Sequence, residues 1–98
     1  MSALLAKASK GLIKEINAHP YEEILVLIDI DGAQATSDVT AAIQDAGLRI
    51  RYVFASADDL DAPTNVSARA TANAIERACE LSFVTKIRPL NLYRANKQ

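Results

Sequence analysis

The stretch from Asn65 to Arg94, NVSARATANAIERACELSFVTKIRPLNLYR, decides the fold. Val66, Ala68 and Ala70 alternate with their neighbours as one face of a strand does, and residues this small predict close packing under a helix. Thr71 stands where a helix N-cap belongs, and Ile75, Ala78 and Cys79 then share one helical face. A last strand is expected from about Ser82 to Arg88, until Pro89, which has no N–H to donate, stops its hydrogen bonding. The result is a closing β-α-β unit followed by a polar tail.

Upstream, EEILVLIDID sets Ile24, Val26, Ile28 and Ile30 on one face and Leu25 and Leu27 on the other. Apolar residues on both sides predict a central strand buried on most of both faces. Asp31 and Gly32 turn the chain, Ser37 is the expected N-cap of the next helix, and Val39, Ala42, Ile43 and Ala46 form its apolar stripe until Gly47 ends it. Leu48, Ile50, Tyr52 and Phe54 alternate against Arg49, Arg51 and Val53, which predicts a strand with the first set turned inward. SADDLDAPTN then reads as a loop carrying Asp58, Asp59 and Asp61. At the N-terminus Leu5, Ala8, Leu12 and Ile16 recur at helical spacing opposite Lys7, Lys10 and Lys14, an amphipathic helix expected to cover the chain's own sheet or pair with a copy of itself, and one that ends at Asn17 to Pro20 because Pro20 disfavours helical backbone at His19.

These elements predict an α+β chain: a β-α-β-β-α-β antiparallel sheet of ferredoxin-like type with two helices on one face, plus an extra N-terminal helix. The expected organisation is a helix and linker over residues 1–19, a core over 20–89 and a tail over 90–98. With 98 residues there is room for one modest core. Eleven Lys and Arg against twelve Asp and Glu leave a net charge of −1, with no basic block interleaved with aromatics, so nucleic acid is not an expected partner. One His and one Cys far apart offer no metal-ligand spacing. Cys79 is expected to be a small core residue and His19 to sit in a turn. The interrupted apolar residues of the N-terminus lack the continuous run of a signal peptide, and nothing approaches a membrane span, so the expected location is cytoplasmic with no membrane partner.

From about Glu23 to Asn96, roughly three quarters of the 98 residues, the chain resembles the prodomains of subtilisin-like serine proteases and their free-standing propeptide-type inhibitors. ILVLIDIDGA, TSDVTAAIQDAGLRI and NVSARATANAIERACELSFVTKIRP carry the resemblance, with Val84 and Ile87 at the Val-x-x-Ile positions of the last strand and Pro89 after it. The resemblance implies no catalytic residue and no cofactor. It implies that the sheet packs on two helices of a subtilisin-like protease while the tail lies extended in the substrate cleft, an addition of a strand in which main-chain hydrogen bonds supply affinity. The protease-binding residues are then Leu90, Asn91, Leu92, Tyr93, Arg94, Ala95 and Asn96, with Leu92 or Tyr93 as apolar anchor and Ala95 near the cleaved end. Family members carry acidic residues just after the final strand that cap protease helices; Arg88, Pro89, Leu90 and Asn91 stand there instead, and Asp58, Asp59 and Asp61 are the candidate secondary contact that restores the charge.

LVLIDIDGA also resembles the first motif of haloacid-dehalogenase-type phosphatases, in which Asp29 would be nucleophile and Asp31 acid/base. Ala33 replaces the usual Thr and no later Lys and acidic pair follows, so Asp29 to Gly32 reads as strand end and turn and the chain as a non-enzyme. Two alternatives to inhibition or chaperoning stay open. One is a ferredoxin-like regulatory domain whose dimer buries the Arg49 and Arg51 face around a metabolite. The other is an assembly subunit that pairs with itself or a third partner through the helix from Ser2 to Asn17. If that helix is an accessory, its removal is expected to leave tail-dependent binding intact.

Overall fold

In β1 (Ile24–Ile30) the sequence ILVLIDI alternates buried and half-buried residues along its whole length. The computed structural model describes residues 3–31, 35–56 and 59–90, and the backbone alone of 56 and 59–62. Around β1 lie α1 (Ala3–Lys7), α2 (Lys10–Ala18), α3 (Thr36–Asp45), β2 (Arg49–Ser56), β3 (Asp59–Ala70), α4 (Ala72–Cys79) and β4 (Val84–Pro89). The chain is α+β, with one four-stranded sheet in the order β2-β3-β1-β4, every neighbouring pair antiparallel, and four helices among the described residues.

Register decides which side of the sheet is the core. Ile24, Val26 and Ile28 stand opposite Ala70, Ala68 and Val66 of β3, while Ile28 and Ile30 stand opposite Ile87 and Val84 of β4. Directly opposed residues share a face. That face joins Leu12 and Ile16 of α2, Val39 and Ile43 of α3, and Ala74, Ile75, Ala78 and Cys79 of α4 in one buried cluster. The alanines at Ala68, Ala70, Ala74 and Ala78 remove bulk where α4 lies over β3. Gly47 ends α3 at φ 102°, donating its N–H to the Gln44 carbonyl at 2.9 Å. A Cβ there would only touch Ala74, so backbone conformation rather than space requires glycine.

Six expectations are corrected. The N-terminal segment is two helices, because the backbone breaks at Ala8 and Ser9 to meet the edge of β4: Ala8 bridges Ile87 in parallel, and the Ser9 N–H donates to the Ile87 carbonyl at 2.9 Å. Ser9 then caps α2, its hydroxyl accepting the Leu12 N–H at 3.1 Å. The helix α3 starts one residue before Ser37, after Ala35, which makes no side-chain cap bond. In β4 the ladder continues past Pro89: Pro89 sits opposite Val26, and the Leu90 N–H donates to the Leu25 carbonyl at 2.9 Å.

The other three corrections concern faces and lengths. β1 is buried on one face only, since the helices gather on the side of Val26 and Ile28. In β2 the register shifts between Ile50, opposite Ala68, and Tyr52, opposite Ser67. The extra residue of this bulge turns Tyr52 and Phe54 away from the core, leaving them 59% and 48% exposed. The segment read as an acidic loop is largely strand, because β3 begins at Asp59, opposite Ser56. Its first half extends beyond β1 and pairs with β2 alone, and there a strand accommodates Pro63.

Cys79 is fully buried, and burial pushes its thiol above the usual range. The thiolate is the nucleophile, so a charged disulfide reagent at about pH 8 is expected to leave Cys79 unlabelled in the native chain and to label it fully in denaturant. Rapid native labelling would contradict this packing.

Candidate functional site: the uncovered face of the sheet

The side of the sheet opposite the helices is built from the alternate positions of the same strands. Leu25, Leu27 and Asp29 of β1 stand opposite Arg69, Ser67 and Asn65 of β3, which stand in turn opposite Arg49, Tyr52 and Phe54 of β2. Arg88 and Lys86 of β4 stand opposite Leu27 and Asp29. At the centre a depression of about 400 Å³ is lined by Leu27, Arg51, Tyr52, Phe54, Ser67 and Leu90, with Asn65 on its border. Ser67 is 1% exposed, stands between Leu27 and Tyr52 on the neighbouring strands, and shares this lining with no residue of a described helix.

Polar groups fix the rim. The Asn65 amide Nδ2 donates to Asp29 Oδ1 at 2.6 Å, and Arg88 Nη2 approaches the same oxygen at 3.7 Å. Arg49 donates to Glu23 Oε1 at 2.6 Å. The Arg51 guanidinium lies 5.6 Å from the Tyr52 ring centroid, and that ring is 6.3 Å from Phe54 at a tilt of 39°. Stacked cations and tilted aromatic pairs hold their side chains in place on an open surface. A smaller cleft beside the end of β1 is lined by Glu15, His19, Glu22, Arg69 and Leu90, and in it His19 Nδ1 lies 3.4 Å from Glu22 Oε2.

Of the residues expected from sequence to contact a protease, Leu90 is placed by its bond to Leu25 and borders both depressions. Asn91, Leu92, Tyr93, Arg94, Ala95 and Asn96 lie outside the described residues, as does Asp58. Asp59 and Asp61 belong to β3, at the end of the sheet away from Leu90: Ser56 pairs with Asp59, whereas Leu90 meets Leu25 near Ala70. They are therefore not gathered beside the start of the tail. Asp29 is committed to Asn65 and Arg88, while Asp31 donates its N–H to the Phe83 carbonyl at 2.8 Å as the strand ends. Among the described residues no group of three or more His, Cys, Asp or Glu could hold a metal ion, and no helix is long and apolar enough to cross a membrane.

Sequence reasoning missed Leu27, Ser67, Tyr52 and Phe54 as one surface. The available signal was the second apolar face of β1: if both helices cover one side of the sheet, Leu25 and Leu27 on the other are left for a partner. Comparison of the chain with family models, curated proteins and solved structures finds no match.

Proposed function

We propose that this chain is a ferredoxin-like domain that inhibits a subtilisin-like serine protease, or assists its folding, by docking through the sheet face that no described helix covers and laying Leu90 to Asn96 in the substrate cleft. Reading the strands from the other edge supports the fold assignment: the order is β4-β1-β3-β2, α3 joins β1 to β2 across β3, and α4 joins β3 to β4 across β1. One observation carries the functional reading. Leu90, the first of the residues proposed for the cleft, donates its N–H to Leu25 of β1 and lines the depression on the apolar face, so the proposed tail begins at the docking surface. A rigid body that holds the sheet against the protease would then deliver the tail without a separate search. Inhibition and chaperoning are two uses of the same contact, since binding the folded protease alone stabilises it.

The test is inhibition of a panel of subtilisin-like proteases by the intact chain and by a chain ending at Leu90. Ending at Leu90 rather than Arg88 keeps the pairing of Pro89 and Leu90 with β1. Three main-chain hydrogen bonds at about 1 kcal/mol each correspond to roughly 100-fold in affinity, the expected loss on truncation. Equal inhibition by both chains, or none by either, overturns the proposal.

A further inference from the structure

We infer that the uncovered sheet face is matched to a protein surface with an apolar centre and an acidic rim; this rests on the docking reading above and specifies the partner's charge. The chain as a whole has a net charge of −1, yet among the described side chains Arg49, Arg51, Arg69, Lys86 and Arg88 all belong to this face, against the carboxylates of Asp29 and Glu23. Positive charge is therefore in excess among the described side chains of this face. Asp29 is held by Asn65 and Arg88, and Glu23 by Arg49. The two arginines Arg49 and Arg69 stand directly opposite each other across β2 and β3. Like charges in that position destabilise a sheet; the Glu23 carboxylate on Arg49 offsets part of the repulsion, and Arg69 borders the rim.

Charge also separates this partner from other occupants. A second copy related by a two-fold axis would bring the same cations face to face, which disfavours self-association through this surface. A single strand of nucleic acid needs aromatic platforms along its track, whereas Tyr52 and Phe54 both stand on the edge strand β2, and the central strands present Leu25, Leu27 and Ser67. Aliphatic residues inside a cationic rim fit side chains from a protein. Acidic side chains are the complement of such a rim.

The experiment titrates the isotopically labelled intact chain with an amphipathic helical peptide bearing Leu on one face and Glu on its flanks, with the same peptide bearing Lys, and with an eight-nucleotide oligouridylate. Backbone amide shifts at Leu27, Ser67 and Phe54 report occupancy. The Glu peptide is expected to bind at this face at least about tenfold more tightly than the Lys peptide at low salt and to weaken several-fold as the Debye length shortens. Arg69→Glu combined with Lys86→Glu is expected to reverse the preference. Equal affinity for both peptides, no shifts on this face, or tighter binding of the oligouridylate there overturns the inference. A protease inhibited independently of salt and of both charge reversals would also overturn it while leaving the docking reading in place. Preference for the Glu peptide without inhibition of any protease supports it and removes the protease as target.

Discussion

A chain lacking residues 1–19 is expected not to fold cooperatively. Of the roles open to the amphipathic N-terminal segment, covering the chain's own sheet is the one the packing supports: Leu12 is 0% exposed and Ile16 9%, both within the cluster that includes Ile28, Ile75 and Ile87. Removing them uncovers that cluster and breaks the contacts of Ser9 with Ile87 and of Lys7 Nζ with the Leu81 carbonyl, each 2.9 Å long. A single Leu12→Ala substitution should cost about 2–5 kcal/mol through lost burial and the cavity left behind. For a domain of this size that lowers Tm by roughly 10–25 °C, a large share of the about 5–15 kcal/mol that small domains possess. Tyr21→Ala, at a residue 93% exposed, should change Tm by no more than a degree or two. Thermal melts followed by far-UV circular dichroism check all three. A cooperative melt of the truncated chain within a few degrees of the full one would show that α2 is an accessory after all.

Leu27→Asp should abolish docking while leaving the chain folded. Leu27 lies on the central strand β1 and lines the depression, half-buried in the free chain and opposite Ser67 on one side and Arg88 on the other. In the free chain the new carboxylate keeps water on one side and has Arg88 across the strand, so the loss of stability should be smaller than for Leu12→Ala. At a docked interface the same carboxylate would be dehydrated against apolar atoms, and central positions of this kind carry 2 kcal/mol or more, about 30-fold or greater in affinity. Lys14→Asp, on the exposed side of α2, should change inhibition by less than about twofold. Inhibition constants for the two variants, with melts confirming the fold, measure the contrast. Equal effects of Leu27→Asp and Lys14→Asp would remove the sheet face from the docking reading.

Periodicity along the chain revealed most of the elements. Alternation in ILVLIDI marked β1, the stripe Val39, Ala42, Ile43 and Ala46 marked α3, and the closing unit from Asn65 to Pro89 was legible almost in full. The candidate surface was less legible. Alternation assigns residues to two faces but does not say which face a helix will cover, and it fails where a bulge inserts a residue. Beyond Ile50 the bulge exchanged inside for outside, so Tyr52 and Phe54 left the expected core for the open face. The acidic stretch misled because Asp and Pro are turn formers locally, yet β2 supplies a partner that keeps residues 59–64 extended.

By itself the sequence determined the order of strands and helices, the buried thiol, the glycine that ends α3 and the second apolar stripe of β1, because each depends on spacing or backbone preference within a few residues. Only the tertiary structure decided that the amphipathic stripe of α2 packs on the chain's own core rather than on a copy of itself, that the N-terminal segment breaks to meet β4, that Leu90 resumes the ladder after Pro89, and that aromatic and cationic residues from separate strands form one surface. Those outcomes depend on which strands pair and in what register, and hydrogen bonds and burial between residues distant in the chain set both.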